Sequence, residues 1–290
     1  MSTTTLTERT VTVAGKPIFF AEAGDGPSLV MLHGGGPGAS GVSNYSRNID
    51  ALAKHFRVIV PDMPGYGRSG KGVDQSDPFG YLADMIRGLL DELELTRTHL
   101  MGNSYGGAAA LRLALDTPRR VDKLVLMGPG GIGTTRGTPT AGLKSLLSYY
   151  RGGGPSRDKL EAFIRNYLVY DGTSVPDSLI DTRYTASIDP AVVADPPLQR
   201  PSGRSALRTL WRMDLTRDKR LKQLPTPTLV LWGRGDKVNR PAGGPMLANV
   251  MSNAELVMTS RTGHWMQWER AEFFNRIAID FLSTPSVFDR

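Results

Sequence analysis

The sequence contains no cysteine among its 290 residues. Disulfides, thiolate metal sites and a cysteine nucleophile are therefore excluded. Long apolar runs are also missing. No segment approaches the roughly 18 residues of a membrane helix, and the opening "MSTTTLTERTVTVAG" has no signal-peptide core. These absences set the expectation of a cytoplasmic protein with no membrane partner. Acidic charge is in deficit, 28 Asp and Glu against 35 Lys and Arg, for a net +7. Such a balance can serve nucleic acid. Here the basic residues are scattered, and "RDKRLK" at 217–222 is the one dense run. A solvated basic surface is expected, with no nucleic-acid partner and a mild attraction for small anions.

What is present is ordinary in bulk: 40% hydrophobic and 22% charged residues, enough for a large core without staples. "VTVAGKPIFFAEAG" reads as two strands around a turn at Gly15-Lys16-Pro17. "SLVMLHG", "HFRVIVPDMPG", "THLMGNS" and "VDKLVLMGPGG" are compact apolar runs, as strands buried on both faces require. Between them, "PFGYLADMIRGLLDELEL" and "YGGAAALRLALDTP" carry helical periodicity. The rhythm returns with "TPTLVLWGRGD", "GPMLANVM", "AELVMT" and a final helix over "QWERAEFFNRIAIDFL". Alternating strands and helices predict an α/β fold, a mainly parallel sheet flanked by helices. Residues 134–210 break the rhythm, being rich in Gly, Pro, Arg and Tyr with helical stretches only. They are expected to form a helical cap inserted into a core of residues 1–133 and 211–290.

The stretch "LHGGGPGAS" at 32–40 is costly as ordinary structure, because three consecutive glycines weaken any helix or strand. A phosphate cradle would need a lysine and Ser/Thr after the last glycine, and neither is there. No nucleotide, cofactor or metal is expected. A second motif supplies the alternative. Gly102-Asn103-Ser104-Tyr105-Gly106 matches G-x-S-x-G between a predicted strand and a predicted helix, the context of a nucleophile elbow. Read blandly, Ser104 is a helix N-cap. Read chemically, it needs a base. Of four histidines, His55 and His99 look like surface or turn residues and His33 braces the glycine loop. His264, in "TSRTGHWMQWE", follows the last strand at the end of the sheet where ligands bind. Asp236, in "LVLWGRGDKV", completes the chain order Ser, acid, His. Asp62 comes too early and Asp214 has no strand before it, so both read as structural. The glycine loop then falls where one backbone N–H of an oxyanion hole is made, at Gly35, with the second at Tyr105.

These pieces together resemble the meta-cleavage product hydrolases, the carbon–carbon bond hydrolases of the α/β-hydrolase fold. The matching segments are "LHGGGPGASGVSNYSRNI", "PDMPGYGRS", "MGNSYGG", "LVLMGPGG", "LVLWGRGDKVN" and "GHWMQWE", spread over residues 30–280. The cap matches mainly at "YLVYDGTSVPDSLIDTRY". The resemblance implies an anionic small-molecule substrate, a 2-hydroxy-6-oxohexa-2,4-dienoate, cleaved between C5 and C6. Carried over by motif position, Gly34, Gly36, Asn44, Asn103 and Trp265 would line its dienoate end. Arg183 would pair its carboxylate or oxo group; otherwise Arg183 is a surface arginine and Asn44 a turn residue. By analogy a homo-oligomer, dimer or tetramer, is expected. Tyr105 departs from the small or flexible apolar residue expected after the nucleophile, and its ring would narrow the pocket. The run Arg151-Gly152-Gly153-Gly154-Pro155 would mark a mobile lid. The tyrosines at 149, 150, 167, 170 and 184, with Trp211, either line an aromatic pocket or form cap core. Two other readings stay open. "HGGGPG" is similar to the "HGGPG" of proline iminopeptidases, although those carry tryptophan after the serine and an acidic cap. A carboxylesterase needs the same triad. A non-catalytic ligand-binding member of the fold is the remaining alternative, against which an intact Ser104, Asp236 and His264 argue.

Overall fold

The computed structural model describes residues 4–285. Residues 1–3 and 286–290, within the two expected core ranges, lie outside it. Eight strands form one sheet: β1 (Thr7–Val13), β2 (Lys16–Ala23), β3 (Ser28–Leu32), β4 (Arg57–Pro61), β5 (Thr98–Asn103), β6 (Val121–Met127), β7 (Thr228–Gly233) and β8 (Ala254–Thr259). Their order is β1-β2-β4-β3-β5-β6-β7-β8. The first hairpin pairs antiparallel, β2 pairs antiparallel with β4, and every later pair is parallel. The hairpin turn is Ala14-Gly15, both left-handed, one residue earlier than the sequence turn signal. Pro17 thus lies inside β2, where it faces only β1 across the ladder.

Four helices precede the sixth strand: α1 (Gly41–Asn44), α2 (Ile49–Leu52), α3 (Pro78–Glu92) and α4 (Ser104–Asp116). Between β6 and β7 come α5 (Ala141–Ser148), α6 (Arg157–Phe163), α7 (Asp177–Ser187), α8 (Pro190–Ala194) and α9 (Ala206–Met213), and among the described residues no strand. The chain closes with α10 (Gly243–Val250), α11 (Met266–Glu269) and α12 (Ala271–Ser283). The expected single last helix is therefore two, separated at Arg270 with φ −126°. The break lets α11 bury Met266, Gln267 and Trp268 near the sheet end while α12 lays Phe274, Ala278 and Leu282 along its face. Among the described residues no helix is long and apolar enough to cross a membrane.

Each face of the sheet carries its own core. One, with Leu32, Leu100, Leu124 and Val230, is covered by α3, α4 and α10; the other, with Met31, Met101, Val125 and Leu229, by α2 and α12. A third cluster joins the insertion (Leu146, Leu160, Phe163, Ile164, Ile180) to Val238, Trp265 and Trp268. Fully burying one such aliphatic or phenyl side chain contributes about 1.5–3 kcal/mol. Lys123 is unusual in being buried, and its ammonium bonds carbonyls at the end of α12, Phe281 among them at 2.7 Å. A cation there also suits the negative end of the helix dipole.

Connections from β3 run one way along the sheet and those from β5 the other, so the C-terminal ends of β3 and β5 flank the topological switch point. Ligands bind at such a crevice in open α/β sheets. Helix α4 starts here and packs tightly against β3. A Cβ on Gly106 would lie 2.4 Å from the Leu32 carbonyl oxygen, and one on Gly102 2.5 Å from that of Gly106. Gly106→Ala is therefore expected to lower the unfolding free energy by at least ~1–3 kcal/mol in a urea titration. An unchanged midpoint would mean that α4 does not sit this close to β3.

Candidate active site

Ser104 is the first residue of α4 and has φ +53°, a left-handed conformation that a side-chain-bearing residue adopts only when held there. The sharp strand-to-helix turn presents its hydroxyl at the sheet end. Asp236 follows β7 and His264 follows β8. The imidazole Nδ1 of His264 lies 2.7 Å from Asp236 Oδ2, with both side chains buried. The other oxygen of Asp236 accepts the backbone N–H groups of Val238 and Asn239, each at 2.8 Å. The carboxylate is thus fixed on both sides and can hold one tautomer, Nδ1–H, leaving Nε2 as the base. Ser104 and His264 line one pocket together with Gly34, Gly35, Gly36, Asn44, Asn103, Arg183 and Trp265.

The glycine loop is held from behind. His33 Nε2 accepts the N–H of Met63 at 2.8 Å, so its Nδ1 carries the proton and donates to the Gly34 carbonyl, also at 2.8 Å. In a trans peptide the next N–H points the opposite way; pinning the Gly34 carbonyl therefore aims the N–H of Gly35. Tyr66 donates to the Gly35 carbonyl at 3.1 Å and fixes the following peptide likewise. A Cβ on Gly35 would come within 3.1 Å of the Tyr105 Cβ, so the two residues expected to supply backbone donors are neighbours.

Arg183 enters from α7 and is buried. Its Nε donates to the Pro37 carbonyl at 3.3 Å, and its guanidinium carbon lies 5.2 Å from the centre of the Trp265 ring. A Cβ on Gly36 would sit 2.8 Å from Arg183 Nη2, so the guanidinium lies directly against the loop. Among the described residues no carboxylate pairs with it, and burial pushes its pKa down to about 10. Asn44 is buried with its Nδ2 unpartnered. The Trp265 indole N–H is already committed, donating to the Asn44 carbonyl at 3.3 Å, and its ring stacks on that of Trp268 with centroids 5.2 Å apart. Asn103 is also half-committed: its Nδ2 donates to the carbonyls of Met127 and His264, each at 3.2 Å.

Several expectations change. The Tyr105 ring turns away from the pocket, packs edge-on against Tyr66 and Phe79, and donates from its hydroxyl to the Pro197 carbonyl. It braces the loops and does not narrow the pocket. Trp211 and Tyr170 are exposed, whereas Tyr149 is buried in the third apolar cluster. His99 lies within β5, half-buried edge-on to Phe56, and is no turn residue. The glycines at 152–154 are all left-handed, and the Lys159 ammonium bonds the carbonyls of Arg151, Gly152 and Gly154, tethering that run. Asp62 accepts the N–H groups of Gly41 and Arg68, and Asp214 binds Thr135 and Thr216. Two residues escaped sequence reasoning: Tyr66, in "PGYGRS", and Glu269, in "GHWMQWE". Tyr66 acts on Gly35, 31 residues away, and Glu269 on Tyr170, 99 residues away, contacts that no local pattern announces.

Residues 27–271 match the α/β hydrolase fold family. The chain is 40% identical to the 2-hydroxy-6-oxo-6-phenylhexa-2,4-dienoate hydrolase of Comamonas testosteroni, over 91% of each chain. It is 38% identical to the 2-hydroxy-6-oxononadienedioate/2-hydroxy-6-oxononatrienedioate hydrolase of the same organism, over 92% of this chain and 91% of that one. Among solved structures it is similar to the meta-cleavage product hydrolase of Pseudomonas fluorescens, with TM-score 0.84, 32% identity and coverage of 95% and 97%. The chain belongs to the α/β-hydrolase fold family, in the branch of the meta-cleavage product hydrolases.

Burial holds His33 neutral, lowering its pKa from 6.5 to about 4. Between these values the unfolded chain binds the proton and the folded one does not, so stability falls as pH falls from 6.5 to 4. The difference corresponds to ~3 kcal/mol at most. Urea unfolding at the two pH values should show the wild type losing about that much more than His33→Gln. Equal losses would remove His33 from the acid response.

Proposed function

We propose that this chain hydrolyses the C5–C6 bond of a 2-hydroxy-6-oxohexa-2,4-dienoate, releasing 2-hydroxypenta-2,4-dienoate and a carboxylic acid. One observation carries the reading. Among the described residues the buried guanidinium of Arg183 has no carboxylate partner, and it faces the pocket that holds Ser104 and His264. An unpaired buried charge is costly, and an anionic substrate group would complete it with two parallel hydrogen bonds. The names of the relatives point to the same substrate class.

In this reading residues 134–210 act as the cap. The carboxylate and 2-oxygen lie against Arg183, the free Nδ2 of Asn44, Asn103, the backbone of Gly34 and Gly36, and Trp265. The dienol takes a proton at C5 as its 2-hydroxyl gives one up, and becomes a ketone. Ser104 then attacks the C6 carbonyl as His264 takes its proton, with Asp236 stabilising the imidazolium. The N–H groups of Gly35 and Tyr105 face the oxygen that gains charge, each contributing about 3–4 kcal/mol to the transition state. The C5–C6 bond breaks with its electron pair delocalised as a dienolate, whose 2-oxygen takes the proton from His264 and restores the base. Water, deprotonated by His264, then frees the acid from Ser104. The setting we propose is a cytoplasmic homo-oligomer, by analogy with relatives.

The 6-phenyl dienoate is a yellow dienolate, and the wild type should bleach it with saturable kinetics. If only p-nitrophenyl acetate is turned over, the chain is an esterase and the proposal fails. Ser104→Ala should bind the dienoate with kcat reduced at least ~10³-fold; cleavage at the wild-type rate would remove Ser104 from its role. Arg183→Met should forfeit about 2–5 kcal/mol of binding, read as a KM at least ~30-fold higher for the dienoate and little changed for p-nitrophenyl acetate.

A further inference from the structure

Glu269 ends α11, five residues beyond His264, and turns its side chain back over the loop it has just left. Each carboxylate oxygen accepts a backbone N–H from a different part of the chain. Oε1 takes that of Gly263, at 2.9 Å, and Oε2 that of Tyr170, at 2.7 Å. Between these two straps the N–H of His264 donates to the Leu168 carbonyl at 2.8 Å. Leu168 is the last residue of a π-helical turn, Ile164–Leu168, that follows α6. Such turns are uncommon and mark places where a helix must redirect its end. The fit is close: a Cβ on Gly263 would lie 2.7 Å from the Tyr170 nitrogen, and one on Gly235 2.6 Å from the Tyr170 ring.

Among the described residues no Lys or Arg pairs with this carboxylate, which is half-buried. Burial pushes its pKa up, and the N–H groups of Tyr170, Gly263 and Trp265 with nearby His264 pull against that rise. A surface salt bridge or a simple helix cap would not explain it. Its two bonds tie the end of the π-turn in the insertion to the loop that carries the base, on either side of the bond from His264 to Leu168.

We propose that Glu269 is a positioning residue, a two-oxygen strap that clamps the Leu168–Tyr170 segment onto the Gly263–His264 loop and so holds the His264 imidazole between Asp236 and Ser104. The proposal rests on the reading of His264 as the base of the reaction. Without the strap, the His264 backbone keeps one contact to the insertion, the Leu168 carbonyl. A displacement of about 1 Å in a reacting group costs on the order of 10²-fold in rate.

The test uses the full chain, assayed well below its melting temperature. Glu269→Gln keeps the size but presents an amide N–H₂ to one of the two backbone donors; Glu269→Ala removes both straps. Both should lower kcat for the 6-phenyl dienoate ~10–100-fold with KM within about threefold, since substrate binding is left to Arg183 and the glycine loop. The same loss should appear with p-nitrophenyl acetate, whose turnover also needs His264. Unchanged kcat with a lowered melting temperature would make Glu269 merely structural and overturn the proposal. A raised KM with unchanged kcat would also overturn it, by placing Glu269 in binding. If Glu269→Ala fails to fold, Glu269→Gln decides alone. A wild type that turns over the ester but bleaches no dienoate defeats the carbon–carbon reading, and the ester rates still decide the role of Glu269.

Discussion

The near-contact of α4 with the end of β3 governs everything else at this site. Because Gly102 and Gly106 have no side chains, the chain reverses from β5 into α4 within one left-handed residue, and that residue is Ser104. The same closeness puts the Gly34–Gly36 loop directly beside the start of α4. A bulkier residue at either glycine would separate the serine from the backbone it must work with. The strain at Ser104 is sustained by the sheet around it, whose central strands are fully buried.

Around this fixed point the remaining groups arrive on separate supports. Asp236 and His264 come from the ends of neighbouring parallel strands, so the spacing of the ladder sets their separation. Arg183 comes from the insertion, on a helix packed over the glycine loop. The division has a physical logic. The sheet end supplies groups that must be rigid, while the insertion supplies a charge that a bound anion would neutralise. The contacts of Leu168 and Tyr170 with the His264 loop join the two supports.

Much of this was legible in the sequence. Apolar runs such as "SLVML" and "TLVLWG" can only be strands covered on both faces, and they set the parallel sheet. G-x-S-x-G between a strand and a helix located the turn at Ser104, and chain order with strand ends brought Asp236 and His264 into view. Other features depend on contacts between segments far apart in the chain, which periodicity does not encode. The direction of the Tyr105 ring depends on Phe79 and Pro197, and the use of the Trp265 N–H on the Asn44 carbonyl. The helix break at Arg270 sits inside an apolar pattern that continues through it. His99 was misjudged because a histidine in "THLMGNS" breaks the apolar run without ending the strand.

The bracing of the glycine loop by His33 and Tyr66 has a genetic consequence. The N–H groups of that loop are main chain, and no substitution other than proline can delete them. Heredity reaches them only indirectly, through the side chains that fix the peptide planes. Variation that tunes the loop would therefore be written in residues that never touch a ligand. His33, buried and tied to both Gly34 and Met63, is the narrowest point through which such a change could pass.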